Sequence, residues 1–178
     1  PAEETEAVLW GLEEQLTRFA NNQIHQHVAE TNCFILVRVA NGKRVGVGAT
    51  NDLGDAGLER AIETAVSAAK VAPEDAGFPG LPEPAPVPEI DAFDEATAAC
   101  TPTRRAQDVA ALCRRAEEEG CIAAGAFRTG IHTVAVANSK SLFAYHPVTE
   151  TDFTTVVMAG DEGSGYATDA SWRVDDID

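Results

Sequence analysis

An Asn-Gly dipeptide between two runs of strand-forming residues constrains the fold of this chain more than any other sequence feature. Asn41-Gly42 follows the apolar run of residues 33–39, and an alternating pattern of valine and small residues resumes over residues 43–50. Asn-Gly is the commonest signal for a two-residue hairpin turn. The pattern therefore predicts a β-hairpin at this point of the chain.

A first amphipathic helix is predicted directly after the hairpin. Residues 54–70 place apolar side chains at helical spacing, and Asp52 or Asp55 is expected to cap the start. The apolar stripe consists of Leu58, Ile62, Ala65, Val66 and Ala69. Gly46 and Gly48 leave one face of the preceding strand bare, which suits the close approach of a helix or of another backbone.

A second helix is predicted over residues 102–119. Thr101 is a good N-cap with proline at the next position, and Gly120 ends the helix. Its inner stripe includes Val109, Leu112, Cys113 and Ala116. The densest cationic cluster of the chain also lies here, and it comprises Arg104, Arg105, Arg114 and Arg115. Because three glutamates follow these arginines, a solvated charged face is predicted rather than an anion-binding site.

Six of the nine prolines of the chain lie between Pro73 and Pro88. Proline fixes φ and lacks a backbone N–H, so this segment is unable to form a helix or a central strand. An extended strap over residues 73–90 is predicted, and a ligand for a proline-reading module is the alternative.

Short strands are predicted after the second helix. They cover residues 121–128, 131–137, 142–145, 149–158 and 166–174, with turns at Thr129-Gly130 and Asn138-Ser139. The predicted fold class is α+β, with a mostly antiparallel sheet and two main amphipathic helices packed on it. Residues 16–28 are ambiguous, because their periodicity favours a helix while Asn21-Asn22 equally suits a bend between strands.

The charge of the chain argues against two classes of partner. The sequence has 13 Lys+Arg against 29 Asp+Glu, which gives a formal net charge of −16. Such a chain repels nucleic-acid phosphates and anionic lipid. No apolar run reaches the ~20 residues of a membrane helix, and the N-terminus lacks the basic start of a signal peptide. A cytoplasmic protein that binds neither nucleic acid nor membrane is expected.

The sequence offers little catalytic chemistry. Four cysteines, which are Cys33, Cys100, Cys113 and Cys121, are far apart and predict reduced thiols. On a strand, His25 and His27 would share a face and could form half of a zinc site, but spacing supplies no further ligand. Gly163-Ser164-Gly165 suits a polar turn better than a nucleophile elbow. No catalytic, cofactor-binding or metal-ligating residue, and no cofactor, is predicted in this chain.

Several motifs in a fixed order resemble a known family. RFANNQIHQ (residues 18–26) is the most specific, and GVGATNDL (residues 46–53) leads into the first helix. The proline-rich strap ending in IDAFD, Thr101-Pro102, ANS (residues 137–139) and GSG (residues 163–165) follow. Together they resemble the N-terminal half of the TldD/PmbA family, cytoplasmic metallopeptidases also labelled modulators of DNA gyrase.

The resemblance carries expectations about fold and function. It implies antiparallel strands at residues 7–10, 16–20 and 24–29, and a single N-terminal domain over residues 1–178. The family's zinc site lies in a C-terminal domain that would begin after Asp178 and is absent from this chain. Members form two-subunit assemblies that degrade unfolded peptides. Unfolded peptide and a homologous subunit are therefore the expected partners, in a homo- or hetero-oligomer; a stand-alone binding scaffold without catalysis is the alternative.

Overall fold

A six-stranded antiparallel sheet with three α-helices is the architecture of the computed structural model, which describes residues 2–178. The strands are β1 (Glu4–Ala20), β2 (Gln23–Asn41), β3 (Arg44–Thr50), β4 (Ile122–Asn138), β5 (Phe143–Met158) and β6 (Ser164–Ser171). The helices are α1 (Asp55–Val71), α2 (Glu95–Ala98) and α3 (Pro102–Glu118). The strand order is β3-β2-β1-β4-β5-β6, so β3 and β6 are the edges. The predicted α+β class is confirmed.

The chain divides into two compact units, each with its own core. Unit 1 comprises the described residues up to Gly11, Asn32–Ile90 and Thr133–His146. Unit 2 comprises Leu12–Thr31, Asp91–His132 and Pro147–Asp178. The core of unit 1 is formed by Val39, Ala65 and Ala69. The core of unit 2 is larger and contains Phe19, Cys100, Val109, Cys113, Ala116, Ala123, Phe127 and Val174.

The hairpin predicted at Asn41-Gly42 is confirmed as β2 and β3. Asn41 pairs with Arg44, so Gly42 and Lys43 form the two-residue loop, and the φ of Gly42 is +58°. Glycine with positive φ at the first loop position is typical of a type II′ turn. The turn is therefore centred one residue later than the dipeptide itself.

Helix α1 packs on β3 through small residues. Its buried positions are Gly57, Ala61, Ala65 and Ala69. A Cβ atom on Gly46 would overlap the carbonyl oxygen of Ala65, and one on Gly48 would overlap that of Ala61. The close helix approach predicted from these two glycines is confirmed. The predicted stripe is only partly buried, since Ile62 remains 47% exposed.

The start of α1 differs from the prediction. Gly54 is the N-cap and has no side chain to offer, so neither Asp52 nor Asp55 caps the helix. Asp52 instead accepts a hydrogen bond from the Gly54 N–H at 3.1 Å, which orders the loop that precedes the helix. Asp55 lies in the first turn, where a negative charge interacts favourably with the helix dipole.

Helix α3 begins and ends as predicted. The Thr101 hydroxyl accepts a hydrogen bond from the Arg104 N–H at 3.2 Å, and Gly120 adopts a φ of +68° after the last turn. The predicted solvated arginine face is wrong for one member: Arg105 is 1% exposed and lies in the interior of unit 2. Arg105 is buried because β1, β4 and the loop before α3 supply neutral acceptors for its guanidinium.

The predicted turn at Thr129-Gly130 is wrong. Strand β4 runs through both residues without interruption. A Cβ atom on Gly130 would lie 2.9 Å from the carbonyl oxygen of Glu13 on β1. Glycine is present here because a neighbouring backbone approaches closely, which is a known use of glycine inside strands.

The remaining strands are fewer and longer than predicted. Residues 143–145 and 149–158 belong to the single strand β5, and β6 ends before residue 174. The turn at Asn138-Ser139 is confirmed.

The opening segment is extended, as the family resemblance implies. Residues 7–10 and 16–20 are parts of β1, and residues 24–29 begin β2. Asn21 and Asn22 form the connecting turn with φ values of 51° and 59°. Asparagine tolerates this left-handed conformation better than most residues, so the Asn-Asn pair fixes the bend.

The proline-rich strap contains no helix or strand over residues 73–90, as predicted. Leu81 anchors it: the side chain is buried, and its N–H donates to a Glu4 carboxylate oxygen at 2.7 Å. The Asn138 side chain donates to the Pro82 carbonyl at 2.9 Å. Residues 83–91 are exposed. No helix within residues 2–178 is both long and apolar enough to cross a membrane.

Candidate functional site

Edge strand β6 presents unpaired backbone groups. It pairs with β5 in continuous register from Thr151↔Ser171 to Met158↔Ser164. The Ala159 N–H donates to the Gly163 carbonyl at 2.9 Å just beyond this ladder. Because hydrogen-bonded and non-hydrogen-bonded pairs alternate between antiparallel strands, residues 165, 167 and 169 bond to β5. Residues 164, 166, 168 and 170 therefore direct their N–H and C=O groups away from the sheet.

One end of this edge is satisfied by the chain itself. Asp169 accepts the N–H of Ala170 through Oδ1 at 2.9 Å and that of Asp178 through Oδ2 at 3.2 Å. The N–H of Ala170 faces outward, so Asp169 caps it. The stretch from Ser164 to Thr168 has no strand beside it in the described sheet.

From Ser164 to Thr168, the sequence of β6 lacks the usual protection of an edge. Natural edge strands carry lysine, proline or bulges that prevent pairing with another chain. β6 reads SGYATDAS, without lysine or proline, and its register shows no bulge. Tyr166, which pairs with Val156 on β5, is 67% exposed. Thr168 pairs with Thr154, and the hydroxyl oxygens of these two threonines lie 2.9 Å apart. No motif in the sequence identifies β6 as the exposed edge, although the absence of lysine and proline from this strand is a readable signal.

Unit 1 has a second open surface, on the sheet face opposite α1. The rings of Trp10 and Phe34 stack there with centroids 5.0 Å apart. Val47 pairs with Arg38 and shares its face, and both Val47 and Phe34 are exposed. Glu6 forms an ion pair with Arg38, while the buried Nε of Arg38 has no hydrogen-bond partner among the described residues. We call this surface the unit 1 open face.

A groove of about 610 Å³ lies in unit 1 between α1 and the sheet. Its apolar walls include Val37 and Val39 from β2, and Ile62 and Val66 from α1. Ile62 and Val66 belong to the predicted apolar stripe of α1, but they lie outside its close contact with Gly46 and Gly48 and line this groove instead.

An ion cluster in unit 2 is internally compensated. Arg128 contacts three carboxylates, those of Glu14, Glu150 and Asp152, and Glu150 also lies 3.1 Å from His132 Nε2. Burial by itself lowers the pKa of Arg128, but the hydrogen bonds to Glu14 and Asp152 and the nearby charges raise it overall. Arg128 is therefore held by its own neighbours rather than presented to an anion.

The residues described do not fit a zinc site. His25 and His27 are exposed on β2, and the His27 Nδ1 lies 2.9 Å from the Thr17 hydroxyl oxygen. Within residues 2–178, no group of three or more His, Cys, Asp or Glu side chains is arranged to hold a metal ion. The four cysteines are free, with Cys100 and Cys113 buried. Gly163 has a φ of 136° in the turn between β5 and β6, where the GSG motif begins.

We expect the chain to retain no stoichiometric zinc, because the nearest pair of histidines lacks further ligands. Metal analysis after dialysis checks this expectation. A tightly held zinc ion that is lost when His25 or His27 is replaced would contradict it.

Comparison with known families and structures agrees with the sequence motifs. Residues 12–69 match the family model described as PmbA/TldA metallopeptidase domain 1. No curated protein matches the chain by sequence.

Solved structures share the fold of nearly the whole chain. TldE from Thermococcus kodakarensis matches with a TM-score of 0.85 and 18% identity, over 95% of this chain and 40% of that one. A protein from Thermotoga maritima described as a candidate modulator of DNA gyrase matches with a TM-score of 0.85 and 15% identity, over 98% of this chain and 41% of that one. A similarly described Bacteroides thetaiotaomicron protein has a TM-score of 0.81 and 16% identity, over 98% and 42%.

This chain thus spans about two fifths of the length of the solved structures that it matches. The sequence match covers a segment that runs from the middle of β1 to near the end of α1, and the structural matches extend the same fold through β6. The resemblance of this chain to the TldD/PmbA family is confirmed over residues 12–69 by the family model, and the solved structures share the fold of the chain.

Proposed function

We propose that this chain is the N-terminal, substrate- and partner-facing half of a TldD/PmbA-like zinc metallopeptidase, or of its non-catalytic partner subunit. In this role β6 receives an unfolded peptide as an added strand. The observation that carries the proposal is the row of backbone N–H and C=O groups at Tyr166 and Thr168, which point away from β5. No lysine, proline or bulge protects this stretch of β6 from pairing with another strand. Adding a strand to an exposed edge recognises main chain, so it suits unfolded peptides of varied sequence.

The unit 1 open face is proposed as the partner-facing surface. Trp10 and Phe34 are large aromatic residues of the kind enriched where proteins associate. The partner is the remainder of a longer polypeptide or a homologous subunit, because the matched structures are more than twice as long as this chain. In this proposal the zinc is held outside residues 2–178, among which no group of three or more His, Cys, Asp or Glu side chains is arranged to hold a metal ion.

A proline at Thr168 tests the peptide site. The Thr168 N–H points away from β5, so proline removes a donor that the ladder does not use, and edge strands tolerate proline at such positions. We expect Thr168→Pro to keep the fold and to weaken binding of an unfolded peptide about tenfold, because one main-chain hydrogen bond is lost and the ring blocks the edge. Fluorescence anisotropy with a labelled peptide in which threonine alternates with glutamine measures the affinity.

Thr168→Val is the matched control, since valine keeps the outward N–H and changes only the side chain. Peptide affinity is expected to stay within a factor of about two of the parent chain. Equal affinity of the proline and valine variants would contradict binding at β6.

Self-association through the same edge is expected for the 178-residue chain. Unpaired strand edges are templates for pairing with a second copy, but the net charge of −16 repels like chains. Salt screens this repulsion, so association should strengthen as salt rises. Sedimentation at low and high salt measures it. A strict monomer under both conditions, together with no retention of peptide, would show that the edge is capped.

A stand-alone peptide- or protein-binding scaffold without catalysis is the second candidate, and the exposed β6 edge supports it because strand addition needs no catalytic group. The reading frame after Asp178 discriminates between the two. A downstream H-E-x-x-x-H motif identifies the zinc-bearing subunit, a similar domain without the motif identifies the partner subunit, and a stop codon identifies the scaffold.

A further inference from the structure

Carboxylates dominate the surroundings of the β6 edge. Residues 159–178 contain six Asp and Glu residues and a single basic residue, Arg173. The Arg173 guanidinium lies over the ring of Trp172 at 4.6 Å. Asp169 lies on β6 itself, and the acids that follow are Asp175, Asp176 and Asp178. Among these acids, Asp175 is paired with Arg104 at 3.2 Å. An incoming chain therefore meets an excess of negative charge.

The shape of β6 leaves room for a long side chain beside Asp169. Gly165 and Ala167 lie on the same face of the strand as Asp169, because side chains alternate between the two faces. A Cβ atom on Gly165 would have no atom within 4 Å. A side chain of an added strand can thus extend along this face as far as the carboxylate.

Asp169 is held in position to receive a donor. Its two oxygens each accept one backbone N–H, from Ala170 and Asp178, and these bonds fix the side chain. A carboxylate offers about four acceptor positions, so two remain for further donors. A lysine or arginine placed here would pair with a preorganised group.

We infer that the peptide added to β6 is cationic, with a lysine or arginine of the added strand paired to Asp169. The inference rests on the proposed function, because it names the class of peptide that the same edge receives. Long basic side chains can lay their methylene groups over Gly165 and Ala167 while the charged end reaches the carboxylate. The acidic surroundings also steer basic segments toward the edge and repel acidic ones.

Three matched peptides test the inference, with threonine alternating with lysine, with glutamine or with glutamate. Their affinities for the full chain are measured by fluorescence anisotropy at a concentration where sedimentation shows a monomer. We expect lysine to bind more tightly than glutamine by about 2–5-fold, and glutamate to bind more weakly, because exposed ion pairs contribute modestly. The preference for lysine should shrink as salt rises, which is opposite to the expected self-association.

Asp169→Asn assigns the preference to one residue. Asparagine keeps a side-chain oxygen that can cap Ala170, so the edge is preserved while the charge is removed. We expect the lysine-to-glutamine ratio to fall to about half or less in this variant. Asp55→Asn removes the same charge from the exposed start of α1 in unit 1 and should leave the ratio unchanged.

The possible results separate the inference from the proposed function. Equal binding of all three peptides would overturn the cationic preference and leave strand addition intact. Binding of none of them would overturn both. A lysine preference that survives in Asp169→Asn would overturn the role of Asp169, and a preference for the glutamate peptide would overturn the electrostatic argument.

Discussion

Replacing Arg105 with alanine is expected to lower the free energy of unfolding of unit 2 by about 3–5 kcal/mol. The guanidinium is buried and makes four hydrogen bonds to neutral acceptors at 2.9–3.3 Å. The acceptors are Thr17 Oγ1, the Cys100 carbonyl, Thr129 Oγ1 and Gln15 Oε1. Alanine would leave these groups without their donor and create a cavity.

The network explains how a charged residue is tolerated in the core of unit 2. Burial lowers the pKa of Arg105, whereas the side chain of Cys100 acts in the opposite direction. No carboxylate contacts the guanidinium in the part of the chain that the structure describes. The hydroxyl, amide and carbonyl oxygens around it therefore accept the hydrogen bonds that water would accept at the surface. Two of the acceptors lie on β1, one lies on β4 and one lies in the loop before α3. The Arg105 side chain therefore connects α3 to β1 and β4.

Urea unfolding monitored by circular dichroism measures the change. Arg114→Ala is the matched control, because Arg114 is an exposed arginine of the same helix and its removal should change stability by no more than about 0.5 kcal/mol. Equal unfolding midpoints for the two variants would show that the buried network contributes nothing to stability.

Gly48→Ala is expected to destabilise unit 1 by about 3 kcal/mol, although it adds one methyl group. The new Cβ would overlap the carbonyl oxygen of Ala61 and lie 3.1 Å from the backbone N of Ala65. Both are main-chain atoms inside α1, so no side-chain rotation relieves the clash. The helix must move away from β3, and packing around Val39 is lost with it.

Gly165→Ala provides the control, because the position lies in a strand of the same sheet and its added methyl group meets open space. Its effect should be within about 0.5 kcal/mol. Thermal unfolding of both variants measures the change in stability that each substitution causes. A Gly48→Ala protein as stable as Gly165→Ala would mean that α1 does not pack on β3 as closely as the structure shows.

Several features that depend on neighbouring residues in the chain were predictable, although the N-cap of α1 was not. The turn at Gly42 and the N-cap at Thr101 are set by local φ preferences and by hydrogen bonds within a few residues. The glycines at positions 46 and 48 correctly indicated a close helix contact. The family resemblance, rather than periodicity, correctly indicated strand for residues 16–20.

Features that depend on distant residues were mispredicted. Residues 16–28 have helical spacing, but they form parts of two paired strands instead. Phe19 is buried in the unit 2 core, where its ring contacts that of Phe153. Gly130 resembled a turn residue because its close neighbour, Glu13, is more than a hundred residues away in sequence. Arg105 resembled its exposed neighbours on the helix because the sequence does not show which acceptors will surround it.

The sequence by itself determined the hairpin, the two long helices, the proline-rich strap and the acidic character of the chain, because turn, cap, proline and charge effects act locally or sum over composition. Tertiary structure alone decided that β6 is an edge, that Tyr166 and Thr168 face outward, and that Arg105 is buried. These outcomes depend on which strands become neighbours. The pairing of β1 with β4 joins segments far apart in the chain, and no local preference encodes such a contact.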